Sequence, residues 1–262
     1  MAIPKEVQYL IGKSGNSFHA EVAREMNNKG WRVMVSPYYL DQTLGKAREI
    51  DLVVERVWPI SNQTDRYGGI AVRLFIECKY VPSYSVFWFS DKDKSSAEDL
   101  ICYKSPFRKN NIFLEDHHYL AASPRVAKVF ASNNNKQAEN EPFYKALNQV
   151  LHGMVSLQSK TVSAPKPQNS SLVIKHTLDF PVIMCNSFDL LYQTDFDRSS
   201  DPIKIEENFQ LEVQYAYVKK SGQQMDQYFL LDFVDFGQLD KFLSGIDADV
   251  KAASTLAFQS PY

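Results

Sequence analysis

Apolar residues recur along the chain at two spacings, and the alternation between them outlines the elements. Phe18, Val22 and Met26 fall four apart with Ala23 beside them, which predicts a helix over Ser17–Lys29. Asn16 or Ser17 can cap its start and Gly30 can end it. Trp31–Ser36 alternates apolar and polar residues and predicts a strand, followed by a loop over Pro37–Lys46. Glu49–Val57 and Ile70–Tyr80 are rich in Ile and Val and predict two further strands. The turn-dense stretch WPISNQTDRYGG between them predicts an antiparallel hairpin.

Downstream, Lys92–Lys104 predicts a helix, His117–Ala122 a short strand, Pro124–Ala131 a helix and Asn133–Glu141 a polar loop. Pro142–Gln158 predicts a helix with Phe143, Leu147, Val150, Leu151 and Met154 on one stripe. Ser159–Ser171 is a polar connection containing proline, readable as a domain linker or as a long loop inside one domain. Beyond it, Phe180–Cys185, Leu190–Tyr192, Phe209–Val218 and Tyr228–Val234 predict strands, and Phe236–Ala257 a closing helix. This order predicts an α/β fold with a mixed central sheet and helices on both faces. We expect one domain over 1–262, with core motifs in 15–158 and the strands and helix of 172–262 extending the same sheet.

Composition changes this picture little. The 262 residues suffice for a full core, and the 13% aromatic share reads as core filling. A net charge of −2 argues against a broadly basic nucleic-acid binder, although a local basic groove needs no such excess. Cys78, Cys102 and Cys185 lie far apart, which excludes a CxxC zinc ribbon and fits a reducing, cytoplasmic setting. The N-terminus has no apolar signal-peptide core, and no run is long enough to span a membrane. The glycosylation sequons at Asn62 and Asn169 read as chance matches in such a setting.

The chemistry sits in the hairpin. Side chains alternate along a strand, so Glu77 and Lys79 share a face while Cys78 turns to the interior. Alone, such a pair reads as a solvated cross-strand ion pair. Asp51 lies on the neighbouring strand and, if the hairpin pairs in register, its carboxylate converges on Glu77. Otherwise it reads as an acid paired with Lys46 or Arg48. Two adjacent carboxylates repel, and a bridging cation relieves that. Mg²⁺ on oxygen ligands suits phosphodiester hydrolysis, and a lysine beside it can orient or deprotonate the attacking water.

The series of a helix, the run Ala47-Arg48-Glu49-Ile50-Asp51 and the run Ile76-Glu77-Cys78-Lys79 resembles the PD-(D/E)xK, or restriction-endonuclease-like, superfamily. Its local form is similar to Mrr-type restriction endonuclease domains and Holliday-junction resolvases over roughly Gly15 to Tyr80. That resemblance implies Asp51 and Glu77 as metal ligands, the backbone carbonyl of Cys78 as a third, and Lys79 as the catalytic lysine. It implies a restriction-endonuclease-like fold with an antiparallel catalytic hairpin. The implied activity is a Mg²⁺- or Mn²⁺-dependent nuclease acting on DNA more readily than RNA, in a prokaryotic or phage restriction, defence or repair setting. The first helix departs from the commonest pattern, because His19 stands where a glutamate is usual. Gly15-Asn16-Ser17-Phe18-His19 instead resembles the GxxxH of RecB-like nucleases, in which the histidine binds metal; an imidazole ligand favours Mn²⁺. The other reading of His19 is a surface or satisfied core histidine. The QxxxY helix of those nucleases has only a loose counterpart in Gln149.

Lys46 and Arg48 are candidate phosphate contacts, and Lys104, Arg108 and Lys109 could line a groove or sit on a solvated loop. Phe87-Trp88-Phe89 reads as core before base stacking, and Glu21 as solvated. His117 and His118 read as structural, since neighbours on a strand face opposite ways. With no evident DNA-reading domain, a homodimer or partner protein is expected to supply specificity. The rival expectations are an inactive nucleic-acid-binding or scaffold protein of the same fold, and an interaction protein with a coincidental ExK.

Overall fold

A computed structural model describes residues 3–13, 15–42, 45–61, 67–103, 105–109, 111–132, 142–158, 172–219 and 221–257. The predicted loop at 133–141, the linker at 159–171, both sequons and Lys104 lie outside these residues.

The helices are α1 (Lys5–Lys13), α2 (Asn16–Asn28), α3 (Lys94–Cys102), α4 (His118–Ala121), α5 (Pro142–Leu157) and α6 (Leu239–Leu256). The strands are β1 (Arg32–Val35), β2 (Tyr38–Asp41), β3 (Lys46–Glu49), β4 (Leu52–Ser61), β5 (Tyr67–Lys79) and β6 (Ser85–Asp91). They continue with β7 (Arg125–Ser132), β8 (Val173–Cys185), β9 (Leu191–Asp195), β10 (Ile203–Lys204), β11 (Phe209–Val218) and β12 (Gln224–Asp235).

Among the described residues, ten strands form one mixed sheet in the order β1-β4-β5-β8-β12-β11-β7-β6-β9-β10, and β2 and β3 form a separate hairpin. The C-terminal strands β8, β12 and β11 therefore lie in the middle of the sheet that carries the predicted site. β4 pairs antiparallel with β5 from Leu52↔Ile76 to Ser61↔Tyr67, while β5 and β8 run parallel, with Lys79 opposite Cys185. β8 meets β12 over only four residue pairs, starting at Val182. That pairing begins just after Pro181, which has no N–H to contribute.

Helices cover both faces. On one, Phe18, Val22 and Met26 of α2 join Ile101 of α3, Tyr119 of α4 and the apolar stripe of α6 over Leu52, Leu74, Ile76 and Val182. On the other, Phe143, Leu147, Val150, Leu151 and Met154 of α5 pack on Val53, Phe75, Ile183 and Phe233. Strands buried on both sides have to be apolar throughout, as Leu74-Phe75-Ile76 is. Among the described residues, no helix is long and apolar enough to cross a membrane.

Several local expectations are corrected. Residues 125–132 form strand β7, not a helix: Val126 and Phe130 fit either period, but only a strand can fill the slot between β6 and β11. The predicted loop after Ser36 contains β2. Gly15, at φ 67, takes the N-cap position of α2 without a side-chain cap, and Ser17 Oγ donates instead to the carbonyl of Ile11. Gly30, at φ 81, ends the helix as expected.

Candidate functional site

The site lies where β5 ends. Continuing the β4–β5 register beyond Leu52↔Ile76 brings Asp51 opposite Glu77. The pair is cross-braced: the Asp51 N–H donates to Glu77 Oε1 (3.2 Å), and the Cys78 N–H donates to Asp51 Oδ2 (2.8 Å). Lys79 Nζ lies 3.3 Å from Glu77 Oε2. Glu77 is fully buried, whereas Asp51 and Lys79 are half-buried. Burial first, and the Asp51 charge second, push the Glu77 carboxyl up to about 8, against the pull of Lys79. Two acids thus face one another in a poorly solvated place with a single cation close by.

His19 reaches this centre from α2. Its Nε2 donates to the backbone carbonyl of Asp51 (2.8 Å). Cys78 packs its side chain on the opposite face, and burial pushes its thiol well up, which keeps it protonated. Lys46 and Arg48 stand on β3. Arg48 Nε pairs with the buried Asp41 (3.0 Å), and Lys46 is exposed. Asp51 and Glu77 present carboxylate oxygens, hard donors of the kind that could hold a cation.

Other candidates lie elsewhere. Arg108 donates to the carbonyls of Ser105 and Phe107, and Lys109 pairs with Asp99. Arg108 acts on His176, whose partner on β5 is Ile70, seven residues before Glu77. At about 3.3 Å per residue this is roughly 23 Å from the site. Phe87 and Phe89 are core residues. A concavity of about 630 Å³ is lined by Arg125, Asp195 and Lys204 near the β9–β10 edge. A smaller one of about 230 Å³ opens where β8 and β12 diverge and reaches Arg73, Asp179 and His117.

Sequence reasoning read His117 and His118 as structural but did not find their acidic partners. His117 and His118 are not on a strand but at the N-cap and first turn of α4, with rings stacked at 4.9 Å. His118 contacts Asp249 through Nδ1 and Asp232 through Nε2 (3.2 Å), and its N–H donates to Asp249 Oδ1 (2.9 Å). His117 Nδ1 accepts from the Tyr119 N–H, and its Nε2 lies 3.4 Å from Asp249 Oδ2. Burial lowers His118, but Asp249 and Asp232 outweigh it and raise the ring to about 10; burial lowers His117 to about 3. His117, His118 and Asp249 are close enough to hold a metal ion. Their hydrogen bonds, however, already form a closed set in which a charged imidazole sits between two carboxylates. Two acids in apolar surroundings were the available signal: Asp232 within Leu230-Leu231-Asp232-Phe233-Val234, and Asp249 on the apolar stripe of α6.

No family model, no curated protein and no solved structure matches this chain.

Proposed function

We propose that the protein is a divalent-metal-dependent nuclease that hydrolyses phosphodiester bonds, preferentially in DNA, in a prokaryotic or phage restriction, defence or repair setting. The observation that carries this reading is the cross-braced pair of Asp51 and Glu77, with Glu77 fully buried and Lys79 Nζ beside it. A structural ion pair does not need a second acid, and burying two like charges is unfavourable unless a cation joins them.

Asp51, Glu77 and the carbonyl of Cys78 would hold Mg²⁺ or Mn²⁺, which when bound supplies Lewis acidity and a more acidic water. Glu77 orients the Lys79 amine, which can hold the attacking water or a non-bridging phosphate oxygen. His19 fixes the Asp51 peptide and thereby the direction of its carboxylate. Specificity would come from a second copy or a partner protein.

The test is cleavage of linear, circular and branched DNA with Mg²⁺ or Mn²⁺, with Mn²⁺ binding followed by calorimetry. Lys79→Ala is expected to lower the rate by about 10²–10³-fold, and Asp51→Ala to abolish Mn²⁺ binding. Cleavage by Lys79→Ala at the wild-type rate, or Mn²⁺ binding indifferent to Asp51→Ala, overturns the reading. Mn²⁺ binding without cleavage of any of these substrates favours an inactive binding protein of the same fold.

A further inference from the structure

The β2–β3 hairpin has two unlike faces. Its register pairs Tyr39 with Arg48 and Asp41 with Lys46, so these four side chains share one face. Tyr39 and Asp41 are buried, whereas Tyr38 and Leu40 on the other face are exposed. The Tyr39 ring lies against Gly153 of α5, and its hydroxyl donates to the carbonyl of Gln149 (3.3 Å). Burial pushes that phenol up, Arg48 acts against the shift, and Asp41 and Glu77 add to it. The hairpin leads directly into the site: the Ile50 N–H donates to the Pro37 carbonyl and the Ser36 N–H to the carbonyl of Asp51.

Asp41 is the unusual member. It is fully buried on a hairpin of two four-residue strands, which is unfavourable for an acid unless it holds a partner. Its Oδ2 lies within ion-pair distance of Arg48 Nε (3.0 Å) and His152 Nδ1 (3.4 Å), while 34% of the Arg48 side chain stays open to solvent. An arginine held at one edge keeps its planar fork in a fixed orientation, so a second, bidentate contact loses little side-chain entropy. Lys46, opposite Asp41, adds a second cation to the same face.

We infer that the solvent-open edge of the β2–β3 hairpin, carried by Arg48 and Lys46 beside the buried Tyr39 and Asp41, is a clamp for the phosphate backbone of nucleic acid beside the site. Arg48 and Lys46 touch the phosphates, and Asp41 is the positioning residue that aims Arg48. The substrate class rests on the nuclease reading given above. The clamp itself is a statement about binding and is separable from cleavage.

The experiment is fluorescence anisotropy of a fluorescein-labelled DNA duplex with the full chain in EDTA, at rising KCl. Arg48→Ala is expected to weaken binding about tenfold, equally across duplex sequences, and to lower the salt slope by about 1. Asp41→Asn is expected to act in the same direction with Arg48 intact, and Arg48→Lys to restore the slope while leaving affinity reduced. Unchanged affinity and slope in Arg48→Ala, or a wild type that does not bind the duplex, overturns the clamp. If Asp41→Asn melts before it can be measured, Arg48→Ala alone decides, because its side chain is partly exposed. Failure of the nuclease reading appears separately, as absence of Mn²⁺ binding by the wild type.

Discussion

Two groups of buried charge lie at the same level of the sheet, on opposite faces and two strands apart. Glu77 pairs with Ile183 on β8, and Ile183 pairs with Phe233, next to Asp232. On the α5 face, two carboxylates meet with one lysine between them and solvent. On the α6 face, the charges alternate as Asp232, His118 and Asp249, with His117 closing the end. The first group, when both acids are ionised, sets like charge against like charge, which is why the Glu77 carboxyl is pushed up. The second places a charged imidazole between its two acids. Each group holds two acids and one cation, so what separates them is arrangement: in one the two acids face each other, in the other an imidazolium stands between them.

The sharpest way to break this contrast is to unbalance the closed group. Asp249→Asn leaves a charged imidazole with one carboxylate and is expected to cost about 3–5 kcal/mol in urea unfolding. A loss below about 1 kcal/mol would make the group ornamental. Chelation by EDTA is expected to leave wild-type melting unchanged at this group; if the EDTA-induced fall in melting temperature persists in Asp51→Ala, the group is a metal centre.

A smaller and opposite effect is expected at the open group. Glu77→Gln removes the disfavoured charge and is expected to gain about 1–2 kcal/mol near pH 8, or roughly 3–6 °C in Tm, in metal-free buffer. The same variant loses Mn²⁺ binding. A variant that is less stable without metal would show that Glu77 is there for the fold and not for a ligand.

The pH dependence separates the groups most finely. The folded Glu77 titrates at about 8 against an ordinary 4.5, so its contribution to stability falls as pH rises between those values. The folded His118 titrates at about 10 against an ordinary 6.5, so its contribution is complete below 6.5 and is lost as pH rises to 10. Lys92, lowered to about 8 by burial, works the other way above that pH. Melting series from pH 5 to 10 are expected to lose the lower limb in Glu77→Gln and the upper limb in Asp249→Asn. Superimposable profiles would remove the distinction between the groups.

The parts of this arrangement that are local were legible in the sequence. α2, the β4–β5 hairpin, α5 and α6 have long apolar repeats, and Glu77 and Lys79 share a face because any strand makes them do so. Asp51 needed the hairpin register, which the turn-dense connection implied. What escaped depends on distant partners. RVAKVFAS is compatible with a helix until β6 and β11 claim it as a strand. The histidine pair gains its meaning from Asp249, which lies on the last helix, and Asp41 from His152 on α5. His19 was placed near the site, yet its contact is to a backbone carbonyl, which no motif specifies.

The parallel pairing of β5 with β8 also sets an order of events during synthesis. β5 can join β4 as soon as it leaves the ribosome, but its other edge waits for residues 173–185. Until then an apolar strand ending in Glu77 and Lys79 offers unpaired N–H and C=O groups to any neighbouring chain. Nascent chains stalled between α5 and β8 are therefore the species most prone to aggregate. A chaperone that shields that edge would act before Glu77 is ever sealed from water.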